Sequence, residues 1–234
     1  MRTGSNKEFW DTYVEGWKGD GLPGDEWGNP RSWDAVFRRF FVGAQSWKQA
    51  VEIGPGSGKY TAKVLGNRGV RVRGYDVSTK FLEVCRRRLP SDRLDLRQLD
   101  TSTPAFLLDD LADWKRQVDA VYSIGVFVHI DLQYLMPYLI AAAAVLKPGG
   151  KLIATFGNPT TDVGFQRMLE DIRPFWSNPG GKYEWLGGCV LESVLPRLGF
   201  EIESLTAPNG INMTVVATLA RPEIGDDLAR YLRE

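Results

Sequence analysis

One glycine-rich stretch constrains the fold of this chain more than any other part of its sequence. Residues 51–61 read VEIGPGSGKYT and lead from an apolar strand candidate into a helical pattern. Glycine lets the backbone turn sharply and lets a ligand approach the main chain closely, as in the first unit of many α/β sheets. The stretch therefore predicts a strand, a ligand-binding turn and a helix in direct succession.

The glycine spacing argues against two phosphate-binding interpretations. A P-loop requires G-x-x-x-x-G-K-[ST], but Ile53 stands at the first glycine position and Tyr60 at the Ser/Thr position. A dinucleotide fingerprint requires G-x-G-x-x-G. Gly54 and Gly56 fit that pattern, whereas Lys59 occupies the third glycine position, where it would crowd both a pyrophosphate and the helix–strand contact.

From residue 50 onward, short strands rich in β-branched residues alternate with helical patterns. The strand candidates are 50–53, 70–75, 94–99, 118–124, 151–156, 200–205 and 213–219. The helix candidates are 60–66, 79–89, 105–113 and 132–146. Ser78 and Asp131 stand at the N-cap positions of two helices, and the KPGG stretch at 147–150 predicts the end of the fourth. This alternation predicts an α/β fold with a parallel sheet and helices on both faces.

Two segments depart from the alternation. Residues 1–47 hold five of the eight tryptophans and few aliphatic residues, so we expect them to lie across another surface rather than to form a core. Within them Trp10, Tyr13 and Trp17 recur at helical spacing, which predicts either a packed helix face or an aromatic cover over the site. Residues 157–188 look irregular, and a loop of that length is either a functional lid or a misinterpreted element.

Composition excludes several classes of function. Lys plus Arg and Asp plus Glu both total 29, so the chain lacks the positive charge that nucleic acids attract. We find no apolar run that could span a membrane and no signal-peptide core at the N-terminus. The two cysteines do not suffice for a disulfide framework. These features predict a cytoplasmic globular protein, which we expect to be a monomer or homodimer, and they do not indicate its activity.

Five ordered features give the chain a family resemblance. They are the acidic residue and glycine turn (Glu52, Gly54, Gly56, Gly58), the strand ends Tyr75-Asp76-Val77 and Leu99-Asp100-Thr101, the stretch 119–125 ending in Ser123-Ile124-Gly125, and the LKPGGKL junction at 146–152. In this respect the chain resembles the class I S-adenosylmethionine-dependent methyltransferases over residues 50 to about 220. The resemblance implies a doubly wound, Rossmann-like seven-stranded sheet, mostly parallel with an antiparallel last strand. It is joined by an N-terminal helical cap.

The resemblance also implies a cofactor site for S-adenosylmethionine. Asp76 would accept the ribose hydroxyl protons and Asp100 the adenine amino group, although Asp100 could instead cap a turn. The glycine turn would receive the cofactor's carboxylate, and the backbone at 123–125 its amine. The predicted cofactor-binding residues are Glu52, Gly54, Gly56, Gly58, Tyr60, Asp76, Val77, Asp100, Thr101, Ser123, Ile124 and Gly125.

Methyl transfer to a poorly ionised acceptor also needs a base. His129, the only histidine, follows the fourth strand and is the first candidate, with helix capping near Asp131 as the alternative; Tyr13 is the second candidate. No Asn/Asp-Pro-Pro-Tyr motif follows the fourth strand, which argues against a nucleobase acceptor, and we find no convincing carboxylate set for a metal. We predict a cap at 1–48 and a catalytic domain at 49–234, with a substrate-cap insertion at about 157–188.

The predicted function is transfer of a methyl group to a small molecule, at oxygen rather than nitrogen. The alternatives are a non-catalytic module that binds the same cofactor and, from another class, a nicotinamide-dependent oxidoreductase.

Overall fold

A seven-stranded sheet forms the centre of the computed structural model, which describes residues 3–173, 181–206 and 210–233. The strands are β1 (Gln49–Ile53), β2 (Arg71–Asp76), β3 (Leu94–Gln98), β4 (Val118–Ser123), β5 (Leu146–Gly157), β6 (Phe200–Thr206) and β7 (Asn212–Leu219). Their order across the sheet is β3-β2-β1-β4-β5-β7-β6. The first five strands pair in parallel, and β7 runs antiparallel to both β5 and β6. This confirms the predicted sheet, including its antiparallel last strand.

Helices connect the strands and cover both faces of the sheet. They are α1 (Thr3–Glu15), α2 (Pro30–Phe40), α3 (Lys59–Leu65), α4 (Thr79–Arg88), α5 (Phe106–Asp110), α6 (Leu132–Val145), α7 (Asp162–Glu170), α8 (Gly188–Arg197) and α9 (Pro222–Leu228). None of the helices in the described residues is both long and apolar enough to cross a membrane.

Successive side chains of the strands pack alternately into two hydrophobic clusters. In β1, Val51 and Ile53 pack into the cluster that contains most of α6, whereas Ala50 packs into a second cluster with Phe41 and Trp47. This alternation follows from the two-residue repeat of a strand. It explains why β1 has buried side chains on both of its faces.

The second cluster shows where one end of the N-terminal segment packs. Phe40, Phe41, Ala44 and Trp47 are buried in that cluster, together with residues of β1, β2 and β4. The aromatic helix α1 packs beside α4 instead. The predicted division of the chain into a cap at 1–48 and a catalytic domain at 49–234 remains a prediction.

Helix ends show which local signals predicted the structure. The Ser78 hydroxyl accepts a hydrogen bond from the Phe81 N–H at 3.1 Å, and Asp131 caps α6 in the same way, which confirms both predicted caps. The KPGG stretch does not form a separate turn, because it lies within β5. There the pairing with β4 shifts, so that Val118 pairs with Leu146 but Ala120 pairs with Lys151.

The segment predicted as irregular, 157–188, contains a helix. Residues 174–180 of it lie outside the described residues, but α7 forms within it and is capped by the Thr161 hydroxyl, which accepts from the Gly164 N–H at 3.0 Å. A Cβ at Gly164 would lie 1.8 Å from the Asn158 carbonyl oxygen, so only glycine lets this helix approach the end of β5. The glycine weakens the helical signal in the sequence, although the structure requires it.

Asp119 of β4 links the start of β1 to β5, and its removal tests this part of the fold. One carboxylate oxygen accepts from the Lys48 and Gln49 N–H groups at 2.6 and 2.9 Å, and the other pairs with Lys147. Burial opposes ionisation, but these partners outweigh it and lower the pKa of Asp119. Asp119→Ala should therefore reduce the free energy of unfolding by about 1–3 kcal/mol in urea titrations.

The matched control is Asp109→Ala, which breaks an exposed ion pair with Arg233 and should change stability by less than about 0.5 kcal/mol. Because the pKa of Asp119 is lowered, its contribution is present above about pH 4 and is lost as the pH falls through the folded value. Equal stability of the Asp119→Ala protein and the wild type at pH 7 would contradict this role.

Candidate active site

The glycine turn after β1 has a backbone that other residues cannot readily adopt. Gly54, Gly56 and Gly58 have φ angles of +72°, +53° and +86°, and the Gly54 N–H donates to the Tyr75 carbonyl at 2.7 Å. A Cβ at Gly54 would lie 2.1 Å from a methyl group of Val126. The turn is thus fixed both by its left-handed geometry and by close packing against the chain that follows β4.

Glu52 is a buried acid beneath this turn. Its carboxylate accepts hydrogen bonds from the Thr61 hydroxyl at 2.5 Å and the Tyr122 hydroxyl at 3.0 Å. Burial raises the pKa of Glu52 to about 7, although both hydroxyls act in the opposite direction. Glu52 therefore links β1 to α3 and β4, and it also borders the cavity described below.

Asp76, at the end of β2, holds the glycine turn to the start of α4. Its carboxylate accepts from the Gly56 N–H at 3.1 Å and the Ser78 N–H at 2.9 Å. Burial raises its pKa to about 6 despite these two bonds. A buried acceptor at the carboxyl end of β2 is placed as the ribose-binding acid of related folds is.

Asp100 follows β3 and is exposed. One of its carboxylate oxygens accepts from the Ser102 N–H at 2.8 Å, and this contact lowers the pKa of Asp100. The alternative stated from the sequence, a turn-capping aspartate, thus describes its contact in this structure. The residue still borders the cavity, together with Thr101 and Val77.

The chain after β4 brings backbone to the site. Ser123 is fully buried and its hydroxyl donates to the Ile53 carbonyl at 3.1 Å, so its side chain joins β4 to β1. Gly125 has a φ of +77°, its N–H donates to the Thr155 hydroxyl at 2.7 Å, and a Cβ there would meet nothing within 4 Å. Open space beside the backbone at 125 leaves room for a ligand.

A cavity of about 1040 Å³ joins these positions. It lies at the carboxyl ends of β1, β2 and β4, where the strand order reverses and open α/β sheets bind their ligands. The predicted residues that line it are Glu52, Gly54, Gly56, Tyr60, Asp76, Val77, Asp100, Thr101, Ile124, Gly125, His129 and Tyr13. Gly58 and Ser123 are not lining residues and support the wall from behind. The volume lies at the upper end of the usual range for ligand cavities, which leaves room for two ligands side by side.

His129 has a defined tautomer in this cavity. Its Nδ1 atom lies 2.9 Å from the Lys182 carbonyl oxygen, and because a carbonyl can only accept, Nδ1 carries the hydrogen. The neutral ring then presents an unprotonated Nε2 atom. Burial lowers the pKa of His129, which keeps the ring neutral, and Trp10 and Tyr183 contact it edge-on with centroid distances of 5.1 and 5.4 Å.

Tyr13, the second base candidate, has its hydroxyl engaged elsewhere. The hydroxyl donates to Glu26 and accepts from the Gly24 N–H at 3.1 Å, and the ring stacks on Trp27. Burial and the neighbouring Glu26 raise the pKa of Tyr13 well above its usual value. Its contacts thus favour a role in fixing the loop after α1 and argue against proton abstraction.

Lys59 does not offer a free cation to a pyrophosphate. Its ammonium donates to the Gly24 carbonyl and lies 4.4 Å above the ring of Trp33, so it fastens the loop after α1 to the start of α3. This engagement adds to the spacing argument against a dinucleotide.

Several lining residues have no individual signal in the sequence. Arg167 and Asp171 of the insertion form an ion pair at 3.2 Å and border the cavity near Tyr183. Their i,i+4 spacing is visible in the sequence, but nothing local places them at the site. Asn6 of α1 also borders the cavity, and no local pattern in the sequence indicates this position. Within the described parts of the chain, no three His, Cys, Asp or Glu side chains are grouped so as to hold a metal ion.

Comparisons with known proteins agree with this geometry. Residues 51–154 match a family model described as a methyltransferase domain. Demethylmenaquinone methyltransferase of Tropheryma whipplei (strain Twist) is 28% identical over 186 residues, which cover 72% of this chain and 74% of that protein.

Two solved structures share the fold. An S-adenosylmethionine-dependent methyltransferase from Anabaena variabilis aligns with a TM-score of 0.67 at 16% identity, covering 94% of this chain and 95% of that one. Magnesium protoporphyrin IX methyltransferase from Synechocystis, with bound S-adenosylhomocysteine, aligns with a TM-score of 0.65 at 17% identity, covering 93% and 99%.

Asp76→Asn tests the nucleoside end of this site. It keeps the volume but removes the negative charge that would accept hydrogen bonds from ribose hydroxyls, so we expect the affinity for S-adenosylhomocysteine to fall about 10- to 100-fold in calorimetry. Asp92→Asn, on an exposed position beyond α4, is the matched control and should bind as the wild type does. Unchanged affinity of the Asp76→Asn protein would contradict the assignment.

Proposed function

We propose that this chain, a class I S-adenosylmethionine-dependent methyltransferase, methylates a hydroxyl oxygen of a small molecule, with His129 as the general base. The match of residues 51–154 to a methyltransferase-domain model supports the prediction from the sequence and favours it over both alternatives, the non-catalytic module and the nicotinamide oxidoreductase. The observation that carries the proposal is the hydrogen bond from His129 Nδ1 to the Lys182 carbonyl. It makes Nε2 the proton-accepting atom of a residue that borders the cavity.

The residues around the glycine turn fit the cofactor. Asp76 supplies a buried acceptor for ribose hydroxyls, and Asp100 with Thr101 borders the place for the adenine. A Cβ at Gly56 would meet only ordinary contacts and one at Gly125 would meet none, so the backbone is open to a ligand at both positions. When bound, S-adenosylmethionine supplies a methyl group already activated by a sulfonium.

His129 does the proton chemistry that an alcohol or phenol requires. An oxygen acceptor is a poor nucleophile until its proton leaves, and a neutral imidazole is suited to accept that proton near pH 7. The lowered pKa of His129 keeps its base form populated. Because a base would serve little purpose for an acceptor already ionised at neutral pH, its presence favours a hydroxyl.

The covering segments provide an aromatic lining. Trp10 and Tyr13 of α1, Trp27 of the following loop and Tyr183 of the insertion all border the cavity. Aromatic faces attract cations, so they suit the neighbourhood of a sulfonium, and a water-poor site favours displacement on the methyl carbon. The similar proteins named for demethylmenaquinone and magnesium protoporphyrin IX both act on small organic molecules, which supports an acceptor of that kind here.

His129→Gln tests the base. We expect turnover to fall by roughly 100-fold or more, while the affinity for S-adenosylhomocysteine stays within about twofold. The assay follows formation of S-adenosylhomocysteine with a panel of phenols, alcohols and demethylmenaquinone, and product spectra locate the new methyl group. Tyr13→Phe is the matched comparison and should keep most of the activity. Unchanged turnover of His129→Gln, or methylation at nitrogen or carbon, would contradict the proposal.

The pH dependence gives an independent test. Burial holds the pKa of His129 below its ordinary value of 6.5, so at saturating cofactor kcat should fall only below that pH, as the imidazole protonates. Saturation matters because Glu52 and Asp76 also titrate near pH 6–7 and affect cofactor binding. The His129→Gln protein should lack this acidic limb. A limb in the wild type centred at pH 7 or above would contradict the account.

A further inference from the structure

The side chain of Asn6 bridges two segments that lie far from it in sequence. Its Nδ2 donates to the His129 carbonyl at 3.3 Å, and its Oδ1 accepts from the Gly181 N–H at 3.1 Å. The side-chain amide of Asn6 in α1 therefore connects His129, in the chain after β4, with Gly181, which precedes Lys182. Lys182 in turn supplies the carbonyl that holds the imidazole.

We infer that Asn6 is a positioning residue for His129: through Gly181 it fixes the Lys182 carbonyl that selects the tautomer of the imidazole. The inference rests on the proposed role of His129. It adds a function for the N-terminal helix, which secures the base in addition to covering the cavity.

Two further contacts hold the stretch around Lys182 close to α1 and to the chain after β4. Gly181 has a φ of +67°, and a Cβ there would lie 2.0 Å from the ring of Phe9, so only glycine allows the insertion to approach α1. A backbone bond from the Glu184 N–H to the Val128 carbonyl, at 2.6 Å, ties the other end of this short stretch. Lys182 is thus held between two attachments. One is a backbone bond, and the other is the Asn6 side chain.

The amide is chemically suited to the position, because the bridge needs one donor and one acceptor. Asparagine has both, whereas aspartate has only acceptors and would place a charge against the His129 carbonyl. Alanine removes both bonds. Without the bridge, the Lys182 carbonyl can move away from Nδ1, and the hydrogen bond that selects the Nδ1-protonated tautomer is then lost.

Asn6 can be changed without altering the charges around His129. From α7, Asp171 acts on the imidazole and pairs with Arg167; from the insertion, Tyr183 contacts the ring. The residues of α1 that meet His129 are Asn6 and Trp10, both uncharged. A change in the titration of His129 after substitution of Asn6 therefore reports position and hydrogen bonding.

Because His129 is the only histidine, nitrogen-15 NMR of the imidazole follows one residue in the whole chain. In the wild type with S-adenosylhomocysteine, we expect the Nδ1-protonated neutral form and a titration below pH 6.5. In Asn6→Ala we expect more of the Nε2-protonated tautomer, because the bond to the Lys182 carbonyl is lost. We also expect a titration that departs from that of the wild type, because this bond raises the pKa of His129 and burial lowers it. Glu8→Ala, an exposed position on the same helix, is the matched control and should give the wild-type spectrum.

Turnover provides the second measurement. Asn6→Ala should lower kcat roughly 10- to 100-fold, with Asn6→Asp at least as impaired, while the affinity for S-adenosylhomocysteine stays unchanged. Asn6→Ser, which retains a donor and acceptor on a shorter side chain, should fall between them and the wild type, and it serves as the test if Asn6→Ala does not fold.

The inference is overturned if Asn6→Ala and Asn6→Ser show the wild-type tautomer and titration of His129. That result differs from failure of the proposed function, in which His129→Gln keeps its turnover whatever the spectra show. A loss of kcat in the Asn6 variants with an unchanged spectrum also contradicts the inference, because the effect would then not pass through the imidazole.

Discussion

The glycine turn after β1 depends on one buried carboxylate, and the site depends on that turn. Asp76 binds the Gly56 N–H with one oxygen and the Ser78 N–H with the other. It thereby joins the end of β2 to the turn and to the first residue before α4. Three left-handed glycines keep this geometry, which a chain with side chains at those positions could not adopt without strain. Because burial raises the pKa of Asp76 to about 6, the carboxylate is costly to keep ionised without a partner, and ribose hydroxyls are suitable partners.

Two segments from distant parts of the chain close the opposite end of the cavity. The helix α1 also docks on the start of α4, where Asp11 accepts from the Ser78 hydroxyl at 2.7 Å. Ser78 is thus adjacent both to Asp76 and to the helix that reaches His129. The insertion approaches α1 through Gly181. The end of the cavity at His129 is therefore assembled from the chain after β4 and from both covering segments.

The sequence was most informative where structure is local. The sheet, the glycine turn and the caps at Ser78 and Asp131 follow from spacing and from residue chemistry within a few positions. Asp76 was predictable because the carboxyl ends of neighbouring parallel strands meet. The hydroxyl of Ser123 donates to the Ile53 carbonyl, a contact that the position of Ser123 in the motif did not indicate.

Residues whose roles depend on distant contacts were not predictable. Asn6 and Gly181 are separated by 175 positions, and no local pattern links them. Helix α7 was missed because Gly164 weakens its helical pattern. The close approach of the helix to Asn158 requires glycine at that position. Tyr13 has the spacing of a site residue, but its hydroxyl is held by Glu26, a contact that depends on how the loop after α1 folds back.

A crystal structure of the complex with S-adenosylhomocysteine tests the central claim most directly. The account predicts that the ribose lies on Asp76 and that the homocysteine sulfur faces the side of the cavity bordered by His129, with space for an acceptor between the sulfur and Nε2. A nucleoside bound away from the glycine turn, or a sulfur directed to a wall remote from His129, would contradict it.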